Sequence, residues 1–306
     1  MERTMQPEVT IIATELAFPE GPIAMPDGSI VLVEIKAGRL TRVRDGVKRT
    51  IAKLGGGPNG AAIGPDGYCY VCNNGGFEWL ERNGKIYPGE QPDGYTGGSI
   101  QKVDLQTGSY DTLYTHCDSE PLKGPNDIVF DAQGGFWFTD HGKNRAREKD
   151  RTGVFYALPD GSQITEAIFP MEAPNGIGLS PDETELFVAE TPTGRLWAYP
   201  LAGPGLVDTS KTRRLLNGRQ GFYMFDSLAI DASGDVCVAT LVEGGITTLS
   251  SADGEPSFVP MPDRITTNIC FGGHDLKTAF VTLSSTGMLV SCAWPVAGLP
   301  LNFLNR

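Results

Sequence analysis

The sequence predicts an all-β protein, a six-bladed β-propeller with four antiparallel strands in each blade. Three observations predict this fold class. A short pattern recurs six times along the 306 residues, and each copy reads as a strand, a tight turn and a strand. Most copies stand about 40–50 residues apart, which is the repeat length of a propeller blade. Glycine (39 residues) and proline (22) are frequent, which favours many short elements over long helices.

The recurring pattern starts with a polar residue, here called the anchor, which follows a proline in four of the six copies. In the first copy the anchor is Glu20, the turn is Pro26-Asp27-Gly28, and residues 30–33 form an apolar run. Because the same parts recur in the same order, each anchor is expected to open the first strand of a blade. The six anchors are Glu20, Asn59, Asn126, Asn175, Asp226 and Asn268.

The further strands follow in order along each copy. Second strands, rich in aromatic and β-branched residues, are predicted at residues 30–33, 68–72, 136–139, 186–189, 236–239 and 279–282. Third strands are predicted at residues 40–44, 154–158, 196–199, 246–249 and 289–293. Residues 9–15 precede the first copy, and we expect them to form the outer strand of the last blade. That pairing would close the ring, so that residues 1–306 form a single domain.

One spacing is too long for a blade, the 67 residues between the second and third anchors. The excess is residues 73–98, here called the insert, which follows the second strand of blade 2. It contains Phe77, Trp79, Tyr87 and Tyr95. A long loop with its own aromatic side chains is usually either functional or disordered, and the aromatic residues favour function.

Composition argues against several classes of function. The net charge of −12 disfavours nucleic acid or a membrane surface as a partner, because both select basic proteins. No apolar run is long enough for a transmembrane helix, and the N-terminus lacks the apolar segment of a secretion signal. The six cysteines read as buried thiols in a reducing cytoplasm, since Cys69 and Cys72 would face opposite sides of one strand. The oligomeric state is left open.

All six anchors carry a side-chain oxygen, and the first strand of each propeller blade lines the central channel. We therefore expect a ring of oxygens at one mouth of that channel. Carboxylate and amide oxygens without thiolate or imidazole suit one hard divalent cation, Ca²⁺ before Mg²⁺ or Mn²⁺, with Zn²⁺ also left open. The alternative is that the anchors cap turns or bond one another around a water-filled channel.

The loop after each second strand returns to the mouth where the anchors lie. His141 follows the second strand of blade 3, so we expect it at this mouth, either as a substrate contact or as a structural histidine. The basic run 143–151 reads as a solvated loop, the alternative being contact with a carboxylate of an anionic substrate. His274 lies in a turn on the opposite face and is excluded from the chemistry.

Four segments of the chain resemble motifs of a known family. They are Pro19-Glu20-Gly21-Pro22, Pro125-Asn126-Asp127, Pro174-Asn175-Gly176 and residues 266–273. The chain resembles the gluconolactonase and senescence-marker protein (regucalcin) family over nearly its whole length, and more distantly diisopropyl fluorophosphatase and the paraoxonases. The resemblance implies a six-bladed propeller with one catalytic divalent ion, usually Ca²⁺.

The resemblance also implies roles for particular residues. The metal ligands of the family match Glu20, Asn175 and Asp226, with Asn126 as a further ligand or a substrate contact. The aspartate that matches Asp226 doubles as the general base. The activity implied is the hydrolysis of a small-molecule lactone or ester, in which water attacks a metal-polarised carbonyl.

Substrate contacts are expected from the remaining polar residues at the mouth and from an aromatic wall. They are Asn59, Asn126, Asp127, His141, Asn268, Phe222 and Tyr223. Sugar-lactone members of the family often carry an arginine two residues before the blade 3 anchor, where this chain has Gly124. A polar sugar lactone and a more apolar, aromatic lactone therefore both stay open. Two alternatives to a lactonase are a phosphotriesterase-like hydrolase on the same site and a non-catalytic propeller that binds Ca²⁺ or a ligand.

Overall fold

The computed structural model describes residues 8–216, 221–252 and 254–305. Within these ranges the regular elements are all β-strands. The same residues contain no helix that is long and apolar enough to cross a membrane. Six small antiparallel sheets stand around a common axis as the blades of a propeller. The predicted fold class is therefore confirmed.

The strand bounds are given blade by blade, counted outwards from the central channel. Blade 1 contains Pro19–Ala24, Ile30–Glu34, Arg39–Arg44 and Val47–Lys53; blade 2 contains Pro58–Ile63, Cys69–Asn73, Ser99–Val103 and Tyr110–Tyr114; blade 3 contains Pro125–Phe130, Phe136–Asp140, Thr152–Ala157 and Ile164–Met171. Blade 4 contains Pro174–Leu179, Glu185–Glu190 and Arg195–Gly203, with Leu206–Val207 and Arg214–Leu215 both paired to Arg195–Gly203. Blade 5 contains Met224–Ile230, Val236–Leu241, Gly245–Leu249 and Ser257–Pro260; blade 6 contains Thr266–Gly272, Thr278–Leu283, Met288–Ala293 and Thr10–Ala13.

In the described part of the chain, three two-stranded ribbons stand outside the blades. The insert forms the ribbon Trp79–Arg82 with Lys85–Pro88, and it separates the second strand of blade 2 from the third. The other two ribbons are His116–Cys117 with Glu120–Pro121 and Asn144–Arg145 with Glu148–Lys149.

The ring is closed by strands from both ends of the chain. The first strands of neighbouring blades pack against one another around the whole ring, from blade 1 to blade 6 and back to blade 1. Thr10–Ala13 pairs antiparallel with Met288–Ala293 as the fourth strand of blade 6. The expectation that residues 9–15 supply this outer strand is therefore confirmed, and the two ends of the propeller are hydrogen-bonded in one sheet.

The apolar core is divided into six layers, one between each pair of neighbouring blades. Strand alternation explains this division, because successive side chains of a strand face the blade on either side. Cys69 lies in the layer between blades 1 and 2, and Cys72 lies in the layer between blades 2 and 3. The two thiols thus face opposite sides of their strand, as expected, and all six cysteines are buried and free.

The turn between the first and second strands of each blade is built on an aspartate. The carboxylate accepts a hydrogen bond from the backbone amide two residues later, at 2.8–3.2 Å in all six blades. Aspartate is favoured in such turns because its side chain replaces a backbone acceptor. The six residues are Asp27, Asp66, Asp131, Asp182, Asp231 and Asp275.

A second repeated contact organises the opposite face, where the anchors lie. In four blades the last residue of the second strand carries an oxygen that accepts a backbone amide from the segment leading into the first strand. These contacts are Glu34 with Ala17 (2.8 Å), Asn73 with Gly57 (2.8 Å), Asp140 with Gly124 (2.7 Å) and Glu190 with Glu172 (3.0 Å). They fix the backbone on which the anchors stand, and sequence reasoning missed them.

Removing the carboxylate in Asp140→Ala should strongly destabilise the fold. Asp140 is buried and accepts amides from Lys123 (2.7 Å), Gly124 (2.7 Å) and Gly142 (2.9 Å). Unpaired buried donors cost about 1–3 kcal/mol each, so we expect a loss of at least about 3 kcal/mol in the free energy of unfolding by urea denaturation. Asp104→Ala removes two amide contacts in a surface turn and should cost about 1 kcal/mol or less. Equal losses in both variants would contradict the role given to burial.

Candidate functional site

The six anchors stand together at one mouth of the channel. The pairing of the first and second strands shifts register at or beside every anchor. Such a β-bulge re-aims side chains at the end of a strand. Asp226 is partly exposed, and the other anchors are buried; these are Glu20, Asn59, Asn126, Asn175 and Asn268.

Glycines after the anchors allow neighbouring first strands to approach closely. A Cβ on Gly60 would lie 2.4 Å from the carbonyl oxygen of Asn126, and one on Gly176 would lie 2.7 Å from that of Asp226. Only glycine fits such an approach without moving the backbone. The Pro-Asn-Gly motif therefore brings Asn59 beside Asn126, and Asn175 beside Asp226.

Three buried or nearly buried carboxyls carry the charge of the site. Burial raises the pKa of Glu20 to about 7, although hydrogen bonds from Asn268 and Gly21 oppose the shift. Burial and then the charge on Glu20 raise the pKa of Asp226 well above its usual range. The same two causes, in the same order, raise the pKa of Asp127. In the described ranges, no lysine or arginine forms an ion pair with any of these carboxyls.

The asparagine side chains differ in how far they are already bonded. Asn268 donates from Nδ2 to Glu20 Oε2 (2.7 Å) and accepts the amide of Ile269 at Oδ1 (2.8 Å), so both of its polar atoms are used. Asn175 donates from Nδ2 to Thr191 Oγ1 at 3.1 Å. The Oδ1 atom of Asn126 is buried, and the described residues supply no hydrogen-bond partner for it. Asn268 thus orients Glu20, whereas the Oδ1 atom of Asn126 is available to accept a hydrogen bond or to bind a cation.

This donor set fits a hard divalent cation. Buried carboxyls without a basic partner cost free energy unless positive charge compensates them. The unpaired oxygen of Asn126 costs free energy for the same reason and suits a cation that prefers oxygen ligands. Across the described residues, no three His, Cys, Asp or Glu side chains form a metal-binding group. A cation here would therefore depend on the asparagine oxygens together with Glu20 and Asp226.

The other predicted site residues occupy the same mouth with unequal access. His141 is partly exposed, but its Nδ1 atom is buried, with no hydrogen-bond partner among the residues that the structure describes. Burial and then the positive charges of Lys149 and Lys143 lower its pKa to about 4, so the ring is neutral at neutral pH. Phe222 is 75% exposed. Tyr223 packs against Phe225, with ring centres 5.0 Å apart and ring planes tilted by 37°.

A cavity of about 110 Å³ lies in the channel below the anchors. Asp127 and Asn268 line it, and residues 299–302 cover its other end. The amide of Leu299 donates to the carbonyl of Ile230 (2.9 Å), and Asn302 Nδ2 donates to that of Phe130 (3.1 Å). The C-terminal segment therefore closes the channel on the face opposite the anchors.

The basic run 143–151 is not solvated throughout, which corrects the expectation for its first residue. Lys143 is only 1% exposed, and its ammonium lies among residues of the insert. Burial lowers its pKa to about 7, although the charges of Asp140 and Asp150 oppose the shift. No local pattern predicts this burial, because the partners of the ammonium, Asn74 and Gly76, lie almost 70 residues away in the chain.

Sequence reasoning also missed the hydroxyls around the anchors. Thr191 accepts from Asn175, and Ser227 Oγ donates to the Oδ1 atom of Asn175 at 3.4 Å. Thr139 Oγ1 donates to the carbonyl of Asn175 at 2.6 Å. Ser227 directly follows an anchor, which was the one signal that could have identified it.

Comparison with known proteins places this chain in a family. The family described as the SMP-30/Gluconolactonase/LRE-like region matches residues 18–285. A gluconolactonase of Zymomonas mobilis is 27% identical over 309 aligned residues, covering 90% of this chain and 79% of that protein. The lactonase drp35 of Staphylococcus haemolyticus is 26% identical over 248 aligned residues, covering 80% of this chain and 70% of that protein.

Solved structures share the fold at lower identity. A gluconolactonase of Xanthomonas campestris superposes with a TM-score of 0.73 at 20% identity, covering 94% of this chain and 89% of that one. Regucalcin of Agrobacterium tumefaciens, described as a calcium-binding protein, gives a TM-score of 0.74 at 19% identity, covering 97% and 99%. Since the family match covers most of the chain, residues 18–285, this chain belongs to the SMP-30/gluconolactonase/LRE-like family.

Proposed function

We propose that this protein is a divalent-metal-dependent lactone hydrolase. One observation carries the proposal: two carboxylate anchors, Glu20 and Asp226, stand at the same mouth of the channel as the buried Oδ1 atom of Asn126. The described residues supply no hydrogen-bond partner for that oxygen. Family membership and the names of the relatives, gluconolactonase and lactonase, support the same activity.

The cation would be held by Glu20, Asn126, Asn175 and Asp226, with Ca²⁺ as the preferred ion. Carboxylate and amide oxygens are the ligands that Ca²⁺ takes in proteins. When bound, the ion supplies a Lewis acid for the lactone carbonyl and for the oxyanion formed on attack by water. Asn268 contributes indirectly, because its bond to Glu20 fixes the direction of that carboxylate.

Asp226 is the proposed general base. Glu20 already accepts two hydrogen bonds at Oε2, whereas Asp226 is partly exposed at the mouth. The water oxygen bonds to the carbonyl carbon while Asp226 takes the proton. The ring C–O bond then breaks, and the same proton passes to the departing alkoxide. The product is an open-chain hydroxy acid.

The remaining residues of the mouth would bind the substrate. Asn59 and Asp127 line the ring beside the carboxylate anchors, and His141 offers a neutral imidazole. The insert and the exposed ring of Phe222 would form an apolar wall. We further propose that residues 1–306 act as one domain. The six free cysteines favour the cytoplasm.

Removal of the metal should abolish hydrolysis. We expect a chelator to stop turnover of gluconolactone, xylonolactone, dihydrocoumarin and an acyl-homoserine lactone, measured by the fall in pH. Ca²⁺ should restore it better than Mg²⁺, Mn²⁺ or Zn²⁺. It should also raise the melting temperature, since an ion at 100 times its Kd adds about 2.7 kcal/mol of stability.

The outcomes separate the candidate functions. A thermal shift with Ca²⁺ but no hydrolysis of any lactone would favour the non-catalytic propeller. Hydrolysis of a phosphotriester alone would favour the phosphotriesterase-like alternative. Hydrolysis that persists undiminished in chelator would contradict the metal.

Neutralising either carboxylate anchor should abolish turnover without unfolding the protein. Glu20→Gln and Asp226→Asn keep the shape of the side chain but remove the charge, so we expect kcat/KM to fall at least about 10³-fold. Circular dichroism should be unchanged, and the thermal shift with Ca²⁺ should be lost. Asp182→Asn, in a turn on the opposite face, is the control and should retain full activity. Retained activity in both anchor variants would refute the assignment of the site.

Truncating Phe222 tests the apolar wall. Phe222 is mostly exposed, so Phe222→Ala should leave the melting temperature nearly unchanged. We expect KM for dihydrocoumarin to rise about 10-fold and KM for gluconolactone to stay within about 2-fold, because only the aromatic lactone would contact the ring. Equal effects on the two lactones would argue against a wall at Phe222. Phe169→Ala, an exposed phenylalanine of blade 3, serves as the control.

A further inference from the structure

Lys143 is a buried cation whose Nζ atom makes its described hydrogen bonds and ring contacts with the insert. Its Nζ atom donates to the carbonyl of Gly76 (2.6 Å) and to Oδ1 of Asn74 (3.3 Å). The same atom stands 4.1 Å from the ring centre of Phe77 and 5.5 Å from that of Tyr95. Lys143 itself belongs to the mouth loop of blade 3. A buried ammonium is costly unless such contacts compensate it, so its position is closely specified.

Other contacts hold the same edge of the insert to blade 3. The hydroxyl of Tyr95 donates to the carbonyl of Lys123 at 2.5 Å. The amide of Gln91 donates to the carbonyl of Asn144 at 2.9 Å. Lys143 is the member of this group that carries a buried charge. If the insert moved away, its ammonium would lose its hydrogen bonds and ring contacts, and of the groups that favour its charge Asp140 and Asp150 would remain.

The far end of the insert reaches two other blades. Trp79 packs on Phe18 with ring centres 5.1 Å apart, and Glu81 pairs with Lys36 at 2.6 Å, both at blade 1. The amide of Ile86 donates to the carbonyl of Ser285 at 3.1 Å, in the mouth loop of blade 6. The insert therefore crosses the mouth side of blades 3, 2, 1 and 6.

The root of the insert also touches the backbone that carries an anchor. A Cβ on Gly57 would lie 2.3 Å from Oδ1 of Asn74 and 2.7 Å from the amide nitrogen of Gly76. Gly57 stands two residues before Asn59. The two residues that bind the ammonium of Lys143 are thus packed beside the segment that positions Asn59.

We propose that Lys143 is a positioning residue that determines which lactones are accepted. Lys143 holds the insert against blade 3. The fixed insert then limits how large a group of the substrate can be on the side of the mouth formed by blades 3, 2, 1 and 6. Loss of this hold would let the insert rise and would admit larger lactones on that side. The inference rests on the proposed lactone hydrolysis and adds to it the element that selects the substrate.

The test compares Lys143→Met with Lys149→Met in the metal-loaded, full-length protein. Methionine nearly matches the length of lysine and removes the charge. Lys149 lies in the same loop but is exposed, so its variant is the matched control. Hydrogen exchange of residues 74–98 measures the hold on the insert. Steady-state kinetics with γ-butyrolactone, a small lactone, and dihydrocoumarin, a bicyclic one, measure selectivity.

We expect Lys143→Met to speed exchange in the insert at least about 10-fold. The ratio of the two KM values should change at least about 10-fold in favour of dihydrocoumarin, with kcat for γ-butyrolactone within about 2-fold of the wild type. Lys149→Met should change neither quantity. A merely structural lysine would lower activity on both lactones by one common factor, in proportion to the folded protein lost.

Three outcomes would overturn the inference. Unchanged exchange in the insert would show that Lys143 does not hold it, and a constant ratio of KM values would show that the insert does not select. If Lys143→Met fails to fold, Tyr95→Phe removes only the bond to Lys123 and should shift both readouts in the same direction; no shift would refute the proposal. A wild-type protein inactive on both lactones with every ion would instead contradict the proposed function, and the two failures are therefore distinguishable.

Discussion

The packing of six first strands around one axis is the constraint on which the rest of the structure depends. Each first strand contacts the first strand of the next blade, and glycines such as Gly60 and Gly176 let their backbones nearly touch. Because the first strands of all six blades run in the same direction relative to the axis, all six anchors meet at one mouth. The same geometry sends every loop after a second strand to that mouth and every aspartate turn to the opposite face. The direction of the first strands therefore determines both the fold and the location of the candidate site.

That arrangement concentrates carboxyl groups at the mouth of the channel, where they are largely buried from water. Burial raises the pKa of Glu20, Asp127 and Asp226, and the charge on Glu20 raises that of the two aspartates further. Keeping these carboxyls charged therefore costs the folded chain free energy. Six apolar layers between blades offset this cost and hold the anchors in place. Strongly perturbed carboxyls in a cleft are typical of functional sites, and a structural role alone gives no reason to retain them.

The insert breaks the sixfold repetition and so makes one side of the mouth different from the other. Its contacts run from Lys143 in blade 3 to Ser285 in blade 6, whereas the mouth loops of blades 4 and 5 consist of only a few residues between strands. A symmetric ring of oxygens can bind an ion but has little means to distinguish substrates. Selectivity on this scaffold therefore has to come from the elements that depart from the repeat.

The sequence by itself determined the blades, the turns and the anchors, because each depends on residues close together in the chain. Alternating apolar residues, an aspartate turn and a following strand are local patterns, and six repetitions make them readable. Only the tertiary structure decided the hydrogen bond from Asn268 to Glu20, the burial of Asp127 near the charge of Glu20, and the burial of Lys143. Each of these depends on partners brought together by closure of the ring or by the path of the insert. The partners in these contacts lie far apart in the sequence, so no local sequence pattern predicts them.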